Sequence, residues 1–303
     1  MLKKVGILTG LLVLAGFAAA WLLGSLLSAP VHQSVGDAPE SLAARNVSFS
    51  SESGAIVHGW FASVPKGRGV VLLLPGVRAN RLSMLERARF LHSAGYSVLL
   101  IDLQATGESA GHNITFGWLE SRDVIAAVEF IRREEPGRPI AIIGSSLGGA
   151  AALLATPPLQ VDALVLEAVY PTIERATENR LAMRLGPLGT VASSVLLAQL
   201  RARLGVSAAQ LRPVDHVSRL NCPVLIIGGA LDRHTTKADT LLLYSSARSP
   251  KELWLIEDAS HVDFHRARRN EYERRVLSFL RVHLKQSSAT IRSVTLVERR
   301  FQG

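Results

Sequence analysis

Gly144-Ser145-Ser146-Leu147-Gly148 lies between Pro139-Ile140-Ala141-Ile142-Ile143 and Gly149-Ala150-Ala151-Ala152-Leu153-Leu154-Ala155. The first flank is apolar and rich in isoleucine, as a buried strand is; the second is a run of small residues with helical character. In that setting G-x-S-x-G describes a serine held on a sharp turn from strand to helix. Glycine at 144 and 148 gives the turn room where a side chain would meet neighbouring backbone. Ser146 would then stand at a helix N-terminus, where N–H groups and the helix dipole favour a developing anion. The blander reading is an ordinary turn whose serine caps the helix.

Strand and helix signals alternate on both sides of this stretch. Asn46 to Ser50 and Ala55 to Ser63 read as two antiparallel strands joined through Ser53-Gly54. Val70 to Leu74 is an unbroken apolar run, expected of a strand covered on both faces. A helix over Leu82 to Ala94, C-capped by Gly95, leads to a strand over Tyr96 to Leu103. A helix over Trp118 to Arg133 stops at Pro136-Gly137, and a strand over Ala163 to Ala168 follows the serine turn. Residues 171–213 break the rhythm and contain an apolar helical stretch, Val191 to Leu200. Alternation resumes with Val224 to Ile227, a helix near Lys237 to Ala247, a strand over Glu252 to Ile256 and a helix from Asn270 to Leu284. Such repetition makes an α/β fold: a mostly parallel sheet with helices on both faces. Beyond Ser287 there is strand-like alternation with no evident partner.

A serine hydroxyl needs a base within hydrogen-bond reach and a third group to hold that base. In open α/β sheets such groups gather beyond the C-terminal ends of strands. Two later strands end suitably: one runs into Ala230-Leu231-Asp232, the other into Glu257-Asp258-Ala259-Ser260-His261. The candidate nucleophile, acid and base are thus Ser146, Asp232 and His261, and Ser…Asp…His is the chain order of α/β-hydrolases. Rivals are Glu167 and Asp258 for the carboxylate and His265 for the base; His234 is too near Asp232 in sequence to look like its partner.

On these pieces the chain resembles the α/β-hydrolase superfamily across roughly residues 45 to 285, and looks most like its serine aminopeptidase-like and lysophospholipase-like branch. Leu74-Pro75-Gly76-Val77, Asp102 through Ser109, Gly144 to Gly148, Gly228 through Asp232, and Ala259-Ser260-His261 carry the resemblance. It implies a sheet of about eight strands, an inserted helical cap, and acyl-transfer hydrolysis without a metal or other cofactor. The oxyanion hole it implies uses the N–H groups of Leu147 and Val77. Many relatives have His-Gly where this chain has Pro75-Gly76, a change that leaves the backbone donor in place. Asp102 is expected to be structural, bonding to its own turn.

The N-terminus bears on location. Val5 to Gly36 contains no Asp, Glu, Lys or Arg, and Val5 to Ala29 is almost wholly apolar. A helix of about 20 such residues spans a bilayer. Lys3 and Lys4 precede it, which argues for a cytoplasmic N-terminus. Ala18-Ala19-Ala20 resembles a leader cleavage site, but the apolar run continues through Trp21-Leu22-Leu23, so an uncleaved anchor is expected. The expected organisation is a single-pass transmembrane anchor over 1–29, a linker over 30–44, a hydrolase domain over 45–285 with its cap at 171–213, and a tail over 286–303. The hydrolase domain would lie on the extracytoplasmic side.

The net charge of +9 collects in late arginines, which suits a surface beside anionic headgroups. Nucleic acid is not expected as a partner, because no aromatics interleave with the basic residues. There is no H-E-x-x-H and no G-x-G-x-x-G after a strand, so neither a metal nor a dinucleotide cofactor is expected. Cys222 is the only cysteine and excludes an intrachain disulfide. The function these features suggest is hydrolysis of a small-molecule or lipid carboxylic ester or thioester. The alternatives are a serine peptidase of the same fold and a binding protein that has kept the fold without the chemistry.

Overall fold

A computed structural model describes residues 2–284, with side chains from 14 onward. Among the described residues the strands are β1 (Val31–His32), β2 (Arg45–Ser50), β3 (Ile56–Ala62), β4 (Val70–Leu74), β5 (Ser97–Ile101), β6 (Thr106–Gly107), β7 (Ile140–Ser145), β8 (Ala163–Glu167), β9 (Val224–Gly229) and β10 (Lys251–Ile256). The α-helices are α1 (Leu2–Ser28), α2 (Leu85–Ser93), α3 (Glu120–Glu134), α4 (Leu147–Leu154), α5 (Ile173–Leu185), α6 (Gly189–Leu197), α7 (Leu200–Leu204), α8 (Pro213–Val217), α9 (Lys237–Ser246), α10 (Phe264–Ala267) and α11 (Arg269–His283).

Eight strands make one sheet in the order β10-β9-β8-β7-β4-β5-β3-β2. All neighbours are parallel except β3 with β5 and β2 with β3. This is the mostly parallel sheet that the alternating signals predict, with the eight strands that the resemblance implies. β4 shows why its run has no polar residue. Val70, Leu72 and Leu74 point into one core with α3, α4 and α9, while Val71 and Leu73 point into a second with α2 and α11. Truncating one of these leucines to alanine would cost about 2–5 kcal/mol. Strand order reverses about β4, so a crevice opens where the C-terminal ends of β4 and β7 part.

Residues 30–44 lie against the domain. β1 pairs with β6 in parallel, and Glu108 accepts from the Val35 and Gly36 N–H groups at 3.0 Å each. The carboxylates of Asp102 and Glu108 share the Arg81 guanidinium, and Asp102 also accepts from Arg81 N at 2.7 Å and Glu108 N at 2.9 Å. Ser109 Oγ donates to Asp102 O at 2.7 Å and accepts from His58 N at 2.9 Å. Asp102 therefore builds its turn, as expected of it.

The side chains of the first half of the anchor expected over 1–29, and the strand-like segment after Ser287, fall outside the described residues. Among the described residues no helix is long and apolar enough to cross a membrane. The described end of α1 packs on the cap. Arg203 Nη1 donates to Ser25 Oγ at 2.5 Å, its Nη2 donates to Trp21 O at 2.6 Å, and its guanidinium lies 4.1 Å from the Trp21 ring centre. Ile114 N donates to Ser28 O at 2.8 Å, and Arg78 Nη1 donates to Leu26 O at 3.2 Å.

Candidate active site

β7 ends at Ser145 and α4 begins at Leu147, leaving Ser146 between them at φ 46°, ψ −108°. Such a backbone costs a serine on the order of 1–3 kcal/mol and persists only when its surroundings impose it. Here Ser146 N donates to Glu167 O on β8 at 2.7 Å, and Ala150 N donates to Ser146 O at 3.0 Å. The flanking glycines are required by contact. A Cβ at Gly144 would come 2.5 Å from Gly149 N, and one at Gly148 would come 2.6 Å from Leu74 O. The pentapeptide is thus a strained elbow, and not an ordinary serine-capped turn.

Beyond β9, the chain wraps around the Asp232 carboxylate. Oδ1 accepts from His234 N at 2.7 Å and Thr235 N at 3.0 Å, and Oδ2 faces His261 Nδ1 at 2.7 Å. A carboxylate only accepts, so this contact puts the imidazole proton on Nδ1 and leaves Nε2 as an acceptor. Ala230 N to Ile256 O (2.9 Å) and Leu231 N to Ala259 O (3.0 Å) tie the aspartate and histidine loops together. Glycine at 229 permits this approach, since a Cβ there would stand 2.4 Å from Ala259 O. The Asp232 side chain is fully buried while that of His261 is 31% exposed.

The structure therefore joins Asp232 to His261, and it sets Ser146 in a cavity at the same sheet edge. Among the described residues the Ser146 hydroxyl has no hydrogen-bond partner, and it is not bonded to His261. Val77 and Leu147 line that cavity with Ser146. Among the described residues neither N–H has a protein acceptor, and both belong to segments that meet at the elbow. A Cβ on Gly76 would lie 3.8 Å from Ser146 Cβ, an ordinary contact.

The rivals have other work. Glu167 accepts from Arg87 Nε at 3.1 Å and Nη2 at 2.7 Å and from the Tyr272 hydroxyl, all buried. Asp258 pairs with Arg268 at the surface. His265 is buried, bonds Glu273 through Nε2 at 3.0 Å and stacks on Phe90. His234 is the residue the sequence did not reveal. Its ring lies 4.7 Å from that of His261 and lines the cavity beside Ser146. Burial and then the neighbouring His261 lower its pKa. The only hint in sequence is adjacency, because a turn around an aspartate brings the next two or three residues back to it.

The cavity holds about 870 Å³. The cap helices α5, α6 and α7 close it on one side, with Leu196 and Leu197 from the apolar stretch among the lining residues. The last turns of α1 close it on another, through Leu23, Gly24, Leu27 and Ser28. Its walls are mostly apolar, and among the described residues its charged lining is Arg78, Arg180, Arg184 and Arg203, with no Asp or Glu. Arg180 donates to Ala176 O at 2.8 Å, and its burial lowers the guanidinium pKa.

Sheet order, elbow and cap together give the α/β-hydrolase fold, and solved structures of that fold superpose on the chain. The family profile described as "Serine aminopeptidase, S33" matches residues 65–211. The chain is 26% identical to YqkD of Bacillus subtilis (strain 168) over 238 residues, covering 76% of this chain and 77% of that one. The Pyrococcus furiosus esterase Pf2001 superposes with a TM-score of 0.70 at 20% identity, covering 85% of this chain and 98% of that chain. The Pyrococcus horikoshii acylaminoacyl peptidase does so with a TM-score of 0.61 at 17% identity, covering 81% of this chain and 42% of that one. At these identities the two superpositions speak to fold alone.

Proposed function

We propose that this protein is a membrane-anchored serine hydrolase that cleaves carboxylic esters or thioesters bearing an acyl chain. The observation that carries the proposal is a strained elbow serine opening into a large, mostly apolar cavity. In the proposed reaction the Ser146 hydroxyl rotates toward His261 Nε2, gives up its proton there and attacks the substrate carbonyl. The carbonyl oxygen takes the negative charge between the Val77 and Leu147 N–H groups. Asp232 holds the imidazole in the required tautomer and stabilises the imidazolium. His261 returns the proton to the departing alcohol or thiol, leaving an acyl-Ser146 ester. Water, deprotonated by the same imidazole, then releases the acid and restores the serine.

An aminopeptidase reading is suggested by the name of the matching family. An α-ammonium group needs an acidic partner when it is buried, and the cavity lining offers four arginines and no carboxylate. That favours neutral or anionic substrates. Anchoring rests on the apolar run over Val5 to Ala29, whose end from Gly16 lies on the cap, so the cap face would meet the bilayer; Lys3 and Lys4 support a cytoplasmic N-terminus with the hydrolase domain on the far side. Two experiments test the proposal. A fluorophosphonate probe should label the wild type and fail to label Ser146→Ala, and p-nitrophenyl esters should be hydrolysed in preference to aminoacyl amides. Failure of the wild type to label would favour a non-catalytic binding protein. Extraction of the protein from membranes by alkaline carbonate would contradict the anchor.

A further inference from the structure

Leu23, Leu181, Leu185 and Leu196 line the cavity at Ser146 and also line a second cavity of about 420 Å³, between α1 and the cap helices α5 and α6. The second cavity reaches Ala20, Phe17 and Gly16, and every residue lining it is apolar. Leu27 lines the first cavity and Gly16 the second, so the pair follows α1 for eleven residues, about 16 Å of helix. The far end opens among large apolar side chains that face outward: Phe17 on α1, and Leu185 and Leu188 on the cap. The α1 wall is clamped in place by Arg203, which binds Ser25 and Trp21.

We infer that α1 forms one wall of the acyl-binding site. The substrate's chain runs from Ser146 between α1 and the cap toward Gly16, and chain selectivity is set by α1 as much as by the cap. The occupant is a single acyl chain for three reasons. The groove shares four lining residues with the cavity that holds the candidate nucleophile, it offers no hydrogen-bonding side chain beyond Leu23 among the described residues, and its mouth is the apolar rim a chain leaving a bilayer would meet. The inference rests on the ester-hydrolase reading for its chemistry, but not for its binding geometry.

The test uses full-length protein in detergent micelles and p-nitrophenyl esters from acetyl to palmitoyl. In the wild type, kcat/KM should rise about fourfold per added methylene until the groove is full. Ala20→Trp places an indole in the second cavity, and the ratio of dodecanoyl to acetyl kcat/KM should fall at least tenfold. The ratio does not depend on how much of the protein is active. If Ala20→Trp does not fold, Gly16→Trp takes its place, since no heavy atom lies within 4 Å of a Cβ built there. An unchanged ratio overturns the inference. A second measurement separates this from failure of the hydrolase reading. Ser146→Ala protein should bind a non-hydrolysable dodecyl ether, and Ser146→Ala/Ala20→Trp should bind it at least tenfold more weakly, whether or not the wild type reacts with fluorophosphonate. Equal binding by the two proteins overturns the inference.

Discussion

Asp232→Asn isolates the acid's role with little change in shape. The carboxylate now accepts two backbone N–H bonds on Oδ1 and meets His261 Nδ1 with Oδ2 at 2.7 Å. An asparagine keeps its carbonyl where His234 N and Thr235 N need an acceptor, which turns its NH₂ toward His261. An NH₂ group can only donate, so Nδ1 must become the acceptor and the proton moves to Nε2. The imidazole then offers no lone pair to Ser146. In serine proteases the corresponding change lowers kcat about 10⁴-fold, or about 5 kcal/mol, and the same tautomer argument predicts a similar loss here. Stability should fall by at most about 1.5–3 kcal/mol, because both backbone donors keep an acceptor and the contact with His261 is weakened and not lost. The assay is kcat on a short p-nitrophenyl ester, with urea unfolding in parallel. A fall in kcat of less than tenfold in a folded variant would refute the reasoning, since the imidazole would be finding its tautomer without Asp232.

Gly144→Ala and Gly148→Ala should each abolish folding or lower Tm by well over ten degrees, because the new Cβ meets backbone at 2.5–2.6 Å, while Gly76→Ala, with contacts no closer than 3.8 Å, should leave Tm nearly unchanged. Burial opposes ionisation of Glu108, yet Arg81 and the Gly36 and Val35 N–H groups hold its pKa at about 2, below the ordinary 4.5. Its contribution is therefore present above pH 4.5 and lost as pH falls toward 2. Urea midpoints should drop more steeply over that interval for the wild type than for Glu108→Gln. Burial pushes Asp123 the other way, from 3.8 up to about 7. The folded state then holds a proton that the unfolded state has released, so stability falls as pH rises from about 4 to 7. Asp123→Asn should flatten that slope in thermal melts across this range.

The elements read most plainly in sequence were those whose environment is the same along their whole length. β4 is apolar at every position because both of its faces are covered, and an uninterrupted run leaves no other reading. The placement of Ser146, Asp232 and His261 just beyond strand ends was legible because each follows an apolar strand run. The cap was legible only as a break in rhythm. Its apolar stretch, read as one helix over Val191 to Leu200, is divided between α6 and α7. The helix expected from Trp118 begins at Glu120, whose buried carboxylate accepts from Thr115 N at 2.8 Å and Gly117 N at 2.9 Å and so shapes the turn before it. Two features were not legible. His234 reaches the cavity through a turn around a carboxylate, which leaves no periodic trace. The wall formed by α1 is hidden because Leu23 and Leu27 have the same apolar character whether they face lipid, a cap helix or a substrate chain. Arg203, far along the chain, helps to fix the helix there.

The central claim is that Ser146 is the nucleophile and His261 its base. Tandem mass spectrometry of the full-length protein after fluorophosphonate treatment tests it most directly. The account predicts one adduct, on Ser146 and not on Ser145, formed at least a thousandfold more slowly in His261→Ala than in the wild type. An adduct on any other residue, or labelling of Ser146 at an unchanged rate without His261, would contradict it.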